Sequence, residues 1–99
     1  MADGGDGVIS VTSNAAPALV AQLTELCAAG DYAKARAVHH RLAEWTAAAF
    51  IEPNPIPAKA GLAMMGKMAN VLRLPLVPLA EKFEPTVRAA LVSVGALTA

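Results

Sequence analysis

The stretch Phe-Ile-Glu-Pro-Asn-Pro-Ile-Pro-Ala-Lys, residues 50–59, decides how this chain folds. Three prolines alternate with other residues in it, so three backbone N–H donors are missing within a short span. Because the residue before a proline avoids the helical region, Glu52 must end any helix that precedes it. A new helix can begin at once, since its first four N–H groups need no intrahelical partner, and Asn54 is a suitable N-cap. The stretch predicts a rigid corner between two helices, and its apolar residues Phe50 and Ile56 predict that the corner is buried.

Composition limits the classes of protein to which the chain can belong. Its 99 residues are one domain or less. Eight basic and eight acidic residues give no net charge and are scattered, so we expect neither nucleic acid nor an anionic membrane as a partner. The uncharged run from residue 7 to residue 24 contains seven polar or proline residues, so no membrane-spanning helix is expected. The single cysteine, Cys27, fits a reducing compartment, and the acidic start does not resemble a secretory signal. These features favour a cytoplasmic protein.

The first part of the chain predicts one strand and one helix. Residues 8–12, Val-Ile-Ser-Val-Thr, are β-branched at four of five positions and follow a glycine-rich turn, which is typical of a strand. A lone strand cannot satisfy its backbone groups, so we expect it to pair with another chain or to belong to a larger unit. A helix over about 15–29 follows, with apolar residues at three- and four-residue steps. Gly30 is its expected left-handed cap, and Asp31 is the expected N-cap of the next helix.

Three further helices are predicted after that turn. The second runs from about 32 to 50, the third from about 55 to 68, and the last begins at Glu84-Pro85 and closes at Gly95. Between the third and fourth helices, residues 71–79 form an apolar, proline-broken connector that should pack against the body. The fold class expected from the residues is therefore mainly α, with one strand and about four helices. The second helix has a core-facing seam, and the third has a core face ending in methionine; these residues are Ala35, Val38, Leu42, Trp45 and Ala49, then Leu62, Met65, Met68 and Ala69.

No complete catalytic or metal-binding constellation is visible in the sequence. His39 and His40 are adjacent on a helix and cannot share one metal, and Cys27 lies in an apolar stripe without an activating cation. Lys59 lacks the desolvation or cationic neighbours that a nucleophilic lysine needs. We therefore predict no catalytic residue, no metal and no cofactor. The best functional candidate is the end of the strand, residues 9–14, because the carboxyl ends of parallel strands commonly face a ligand.

Three stretches of the chain carry a resemblance to a known family. Residues 4–14, 50–59 and 72–79 resemble, in order and spacing, the C-terminal part of the dihydrodipicolinate synthase/N-acetylneuraminate lyase family, and dihydrodipicolinate synthases in particular. The middle stretch is the specific one, and the resemblance extends over essentially the whole chain. Two positions depart from the family. Ala60 stands where tryptophan is usual, and Trp45 stands where leucine or a smaller residue is common, so the two changes compensate in volume.

The resemblance implies a fragment of an α/β fold, the (β/α)8 TIM barrel, with its added C-terminal helical domain. Residues 1–29 would be the last β/α unit of the barrel, with the strand at about 8–12 and the helix at about 15–29. Residues 30–99 would be the helical domain. The neighbours of the strand would then be the first and seventh barrel strands. A barrel of this kind needs roughly 250 residues, so more than half of it would lie outside this sequence.

The resemblance also implies an activity. Family members form a Schiff base between a lysine and pyruvate, and dihydrodipicolinate synthase, a lyase of lysine biosynthesis, condenses pyruvate with aspartate semialdehyde. Neither that lysine nor the family's proton-relaying tyrosine maps onto this sequence, so we expect the 99 residues to be inactive alone. Ile9 does map, as a substrate-binding residue whose backbone carbonyl would lie beside pyruvate and whose side chain would fill the pocket floor. A homo-oligomer, specifically a homotetramer, is also implied.

A second hypothesis from another class remains open at this point. The unpaired strand and the apolar seam over residues 32–50 also fit a non-catalytic helical module that binds a partner chain. A stable, monodisperse helical oligomer in solution would favour that module.

Overall fold

Four α-helices form the body of the molecule. The computed structural model describes residues 1–99. Its helices are α1 (Pro17–Ala28), α2 (Tyr32–Ala48), α3 (Ile56–Met64) and α4 (Glu84–Ser93), and short 3-10 turns at Thr12–Asn14 and Glu81–Phe83 precede α1 and α4. The expected four helices are thereby confirmed, in the expected order. None of them is long and apolar enough to cross a membrane.

The turn between α1 and α2 forms from the residues that predict it. Gly30 adopts a φ of 77°, which an L side chain disfavours. Its N–H donates to the Cys27 carbonyl and that of Asp31 donates to the Leu26 carbonyl, so the end of α1 closes as a Schellman motif. The Asp31 carboxylate then accepts the Lys34 backbone N–H at 3.2 Å and caps α2. The predicted helix–turn–helix is confirmed.

The apolar seam of α2 lies at the centre of the core. All five residues predicted to form it are buried. Trp45 is fully buried, and so are Val87 and Leu91 of α4, against which α2 packs. On its other side α2 packs against α1. Ala60 and Trp45 belong to one core cluster, which is consistent with the exchange of volume inferred from the sequence.

The proline corner is real, but its apolar residues divide between core and solvent. Ile56 is buried, whereas Phe50 is exposed, so the expectation of a wholly buried corner is wrong. The α2 helix ends at Ala48, before the corner, and Phe50 therefore lies beyond the helix face that meets the core. Pro55, rather than Asn54, is the residue that precedes α3, and no side chain caps that helix.

The third helix ends four residues earlier than predicted. Gly66 adopts a φ of 72°, and its N–H and that of Lys67 donate back to the Ala63 and Leu62 carbonyls. This left-handed closure stops α3 at Met64, and Met68, expected on its core face, is exposed. A glycine that can act as a C-cap therefore outweighs the run of methionines.

The connector between α3 and α4 packs against the body only in part. Leu79 is buried and Leu72 and Leu76 lie against the core, whereas Leu74 and Val77 are exposed. The Glu52 carboxylate accepts the Ala80 backbone N–H at 3.3 Å, which joins the proline corner to the end of the connector. The α4 helix then closes at Gly95, as predicted.

The strand predicted over residues 8–12 is absent. The backbone is irregular until Thr12 begins a 3-10 turn, and residues 5–10 make no backbone–backbone hydrogen bond. Val8 and Ile9 are largely exposed. The physical reason is that no other strand lies beside this segment, so there is no ladder in which its N–H and C=O groups can pair. The mainly α class is correct, and the element missing from it is this strand.

Candidate functional site

Ile9, the predicted substrate-binding residue, lies at the most open point of the chain. Its relative exposure is 106%, the highest of the large apolar residues. Its carbonyl accepts no hydrogen bond from the rest of the chain. The next residues are ordered by local bonds: the Ser13 hydroxyl donates to the Ser10 carbonyl at 2.8 Å, and the Asn14 amide donates to the Val11 carbonyl at 3.0 Å. Ile9 therefore presents both an apolar side chain and a free acceptor immediately before a fixed turn.

A cleft of about 370 Å³ opens beside Ile9. Two walls enclose it, one from the segment that carries Ile9 and one from the proline corner and α3; the lining residues are Ile9, Ser10, Val11, Asn14, Asn54, Pro55, Ala58, Lys59, Leu62 and Met68. The family-signature stretch and the candidate site residue, which are more than forty positions apart, thus face one another. Nothing in the spacing of the corner's residues predicts that it faces Ile9.

The polar groups of the cleft are few. Ser10, Asn14 and Asn54 supply hydroxyl and amide groups, and Lys59 supplies the one cationic group. The Lys59 Nζ donates to the Val71 carbonyl at 2.9 Å, which ties α3 to the connector. Such a cleft can hold a small polar molecule, but it offers no pair of groups for general acid–base catalysis.

The segment that carries Ile9 is attached to α2. The Trp45 Nε1 donates to the Thr12 carbonyl at 2.9 Å, and the Thr12 and Thr46 hydroxyls lie 3.1 Å apart. Thr12 is buried, three positions after Ile9. The first wall of the cleft is therefore fixed at its base and free at its mouth.

The remaining titratable candidates lie away from the cleft. His39 and His40 are exposed, and their ring centroids are 5.5 Å apart. Cys27 and Tyr32 border a separate groove between α1 and α2. No group of three histidine, cysteine or carboxylate side chains is arranged to hold a metal ion. The pKa of Asp31 is lowered, mainly because its carboxylate accepts the Lys34 backbone N–H, and this pair belongs to the helix cap.

Comparison with known proteins decides the family. The profile of the dihydrodipicolinate synthetase family matches residues 1–94. The chain belongs to that family. The resemblance inferred from the sequence is confirmed, and Ile9 and the proline corner both lie in the matched region.

Curated dihydrodipicolinate synthetase relatives agree with this assignment. The 4-hydroxy-tetrahydrodipicolinate synthase of Saccharophagus degradans is 54% identical over 91 residues, which are 92% of this chain and 31% of that protein. The enzyme of the same name from Thermotoga maritima is 50% identical over an alignment of 97 positions, which covers 95% of this chain and 32% of that protein. The chain therefore spans about a third of the length of these relatives.

Solved structures of the family have the same fold over this region. Dihydrodipicolinate synthase from Thermotoga maritima superposes with a TM-score of 0.94 at 47% identity, covering 97% of this chain and 32% of that one. The chloride-inhibited enzyme from Acinetobacter baumannii, solved with pyruvate, superposes with a TM-score of 0.92 at 38% identity, covering 95% and 32%. These neighbours do not favour the alternative of a non-catalytic interaction module.

Proposed function

We propose that residues 1–99 act as one wall of the pyruvate site of a dihydrodipicolinate synthase, a lyase that condenses pyruvate with aspartate semialdehyde in lysine biosynthesis. The observation that carries the proposal is the hydrogen bonding and exposure of Ile9. In a chain that matches the family from residue 1 to residue 94, its carbonyl is unpaired and its side chain is uncovered at the mouth of a cleft. A related enzyme solved with pyruvate superposes on 95% of the chain.

The chemistry gives that free carbonyl a role. In a Schiff-base aldolase, a lysine amine condenses with the C2 carbonyl of pyruvate and releases water, and the protonated imine that forms is positively charged. Loss of a C3 proton then gives an enamine, whose C3 attacks the aldehyde carbon of the second substrate. A carbonyl acceptor beside the imine N–H stabilises its charge. The Ile9 carbonyl can do this, whereas its side chain contributes an apolar surface that excludes water.

Lys59 is not the Schiff-base lysine in this proposal. It lines an open cleft without a second cationic residue, and its Nζ donates to the Val71 carbonyl. Neither desolvation nor a neighbouring charge activates it. The 99-residue chain treated with pyruvate and borohydride should therefore gain no adduct mass. A reduced adduct mapped to Lys59 by peptide mass spectrometry would contradict this assignment.

The proposal also covers the domain boundaries, the cellular compartment and the oligomeric state, each taken from the family. Residues 1–29 correspond to the last β/α unit of the barrel, and residues 30–99 to the helical domain. The protein is cytoplasmic and works as a homo-oligomer, a homotetramer in the family pattern. One relative, 47% identical over the aligned region, was characterised as the first monomeric variant of a dihydrodipicolinate synthase, which supports oligomers as the ordinary state of such enzymes.

A chimera tests the proposal directly. Residues 1–99 replace the corresponding third of the Thermotoga maritima relative, and turnover of pyruvate with aspartate semialdehyde is measured alongside borohydride trapping. We expect turnover and an adduct on a lysine of the Thermotoga maritima part. A folded chimera of native oligomeric state that forms no adduct would refute the proposal.

A pair of substitutions in the same chimera tests the role of Ile9, with one of them as the matched control. Ile9→Ala uncovers part of the site and should raise KM for pyruvate, whereas Val8→Ala, on the neighbouring residue that borders the groove between α1 and α2, should not. Equal effects of the two substitutions would show that Ile9 has no special contact with pyruvate.

A further inference from the structure

Trp45 contacts the first wall of the cleft through its one polar atom. The side chain is fully buried, and its Nε1 donates to the carbonyl of Thr12, 33 positions earlier, at 2.9 Å. Thr12 follows Ile9, Ser10 and Val11, all of which line the cleft. Because residues 5–10 make no backbone–backbone hydrogen bond, the bond from Trp45 fixes the point from which this segment extends. The Thr12 carbonyl also accepts the backbone N–H groups of Ala15 and Ala16 within its own turn, so the bond from Trp45 is the one that ties this turn to α2.

The opposite edge of the same indole contacts the second wall. A β-carbon added at Gly61 of α3 would lie 3.1 Å from the Trp45 Cη2, so the ring already fills the space in front of that glycine. Gly61 lies between Ala58 and Leu62 on α3, and both of those residues line the cleft. The rigid indole ring therefore spans the two walls, from the Thr12 carbonyl at the base of the first to the Gly61 backbone in the second.

We infer that Trp45 is a positioning residue that sets the separation of the two cleft walls and, through Thr12, the place of the Ile9 carbonyl. The inference rests on the proposed function in so far as that carbonyl meets pyruvate. Trp45 is not among the lining residues of the cleft and reaches its two walls through Thr12 and Gly61.

The test replaces Trp45 while keeping an aromatic ring. Trp45→Phe removes both the Nε1 donor and the Cη2 edge. The control is Val38→Ala, which removes buried carbon atoms from the same face of the helix two turns earlier, at a residue that does not line the cleft. In the chimera, Trp45→Phe should raise KM for pyruvate by roughly three- to tenfold, the range that one net hydrogen bond contributes. The change in kcat should be smaller, and Val38→Ala should change neither constant.

A second measurement does not depend on activity. In the 99-residue chain, the amide NMR signals of residues 8–14 and 57–62 should shift together in Trp45→Phe, whereas Val38→Ala should shift signals in α1 and α2. If the two variants alter KM and the cleft signals equally, Trp45 is an ordinary core residue and the inference is overturned. If the parent chimera forms no pyruvate adduct, the proposed function fails. The NMR comparison then still decides whether Trp45 positions the walls.

Discussion

Gly61→Ala is a substitution whose effect on stability depends on one neighbouring ring. In the interior of an exposed helix, alanine in place of glycine stabilises by about 0.5–1 kcal/mol, because glycine loses more backbone freedom on folding. Gly61 lies inside α3, and no unusual φ opposes a side chain there. Helix propensity alone therefore predicts a more stable protein.

Packing opposes that gain. The new β-carbon would lie 3.1 Å from the Trp45 Cη2 and 3.4 Å from the Leu91 Cδ1. Both of those side chains are fully buried, so neither can swing into solvent to make room. Overfilling a well-packed core costs roughly 1–3 kcal/mol. Subtracting the gain in propensity leaves a net loss of about 1 kcal/mol in the free energy of unfolding, which lowers Tm by about 4–8 °C in a domain of this size.

The assay is urea or thermal unfolding followed by circular dichroism at 222 nm, in two backgrounds. With Trp45 present, Gly61→Ala should destabilise. With Trp45→Phe, the Cη2 atom is gone and the same substitution should stabilise by about 0.5–1 kcal/mol, as helix propensity alone would give. The decisive result is that the change in the free energy of unfolding caused by Gly61→Ala has opposite signs in the two backgrounds. If Gly61→Ala stabilises the protein that retains Trp45, or has the same effect in both backgrounds, the tight contact does not control the effect and our reasoning is wrong.

Two further predictions concern the core and the helix cap. Leu91→Ala should lower the free energy of unfolding by about 2–5 kcal/mol, because the side chain is fully buried, whereas the control Val77→Ala, at an exposed position, should change it by less than about 0.5 kcal/mol. The pKa of Asp31 is lowered from 3.8 in the folded state, so the stability that its cap contributes is present above pH 3.8 and is lost as the pH falls through the lower folded value. An acid titration of helicity should therefore be flatter in Asp31→Asn than in the unchanged chain, and identical titrations would show that the cap makes no such contribution.

The elements that local chemistry specifies could be predicted from the sequence. Gly30 and Asp31 end α1 and begin α2 through hydrogen bonds to residues within five positions. The seam of α2 can be predicted from the helical period alone. The end of α3 differs from the prediction because Gly66, a local signal for the end of a helix, closes α3 before Met68. The exposure of Phe50 differs from the prediction for a similar reason, since its place depends on where α2 ends.

The strand predicted over residues 8–12 is wrong for a different reason. Residues 8–12 have the composition of a strand, but a strand exists only where a neighbour supplies hydrogen bonds, and composition does not report the neighbour. The candidate site shows the same limit. Ile9 was identified through family resemblance, whereas the contacts that surround it join Thr12 to Trp45 and residues 9–14 to α3 across more than thirty positions. No periodic pattern or short motif encodes pairs so far apart in sequence.

The buried indole of Trp45 also gives the protein an intrinsic optical probe. It is the one tryptophan in the chain. Its fluorescence therefore comes from a single place, the contact between the segment that carries Ile9 and the α3 helix. A dry, hydrogen-bonded indole emits at shorter wavelength than a hydrated one, so any event that separates these two parts changes the colour of the emission. Folding, denaturation and the docking of further protein against the Ile9 segment can each be followed by this signal, without a label and at micromolar concentration.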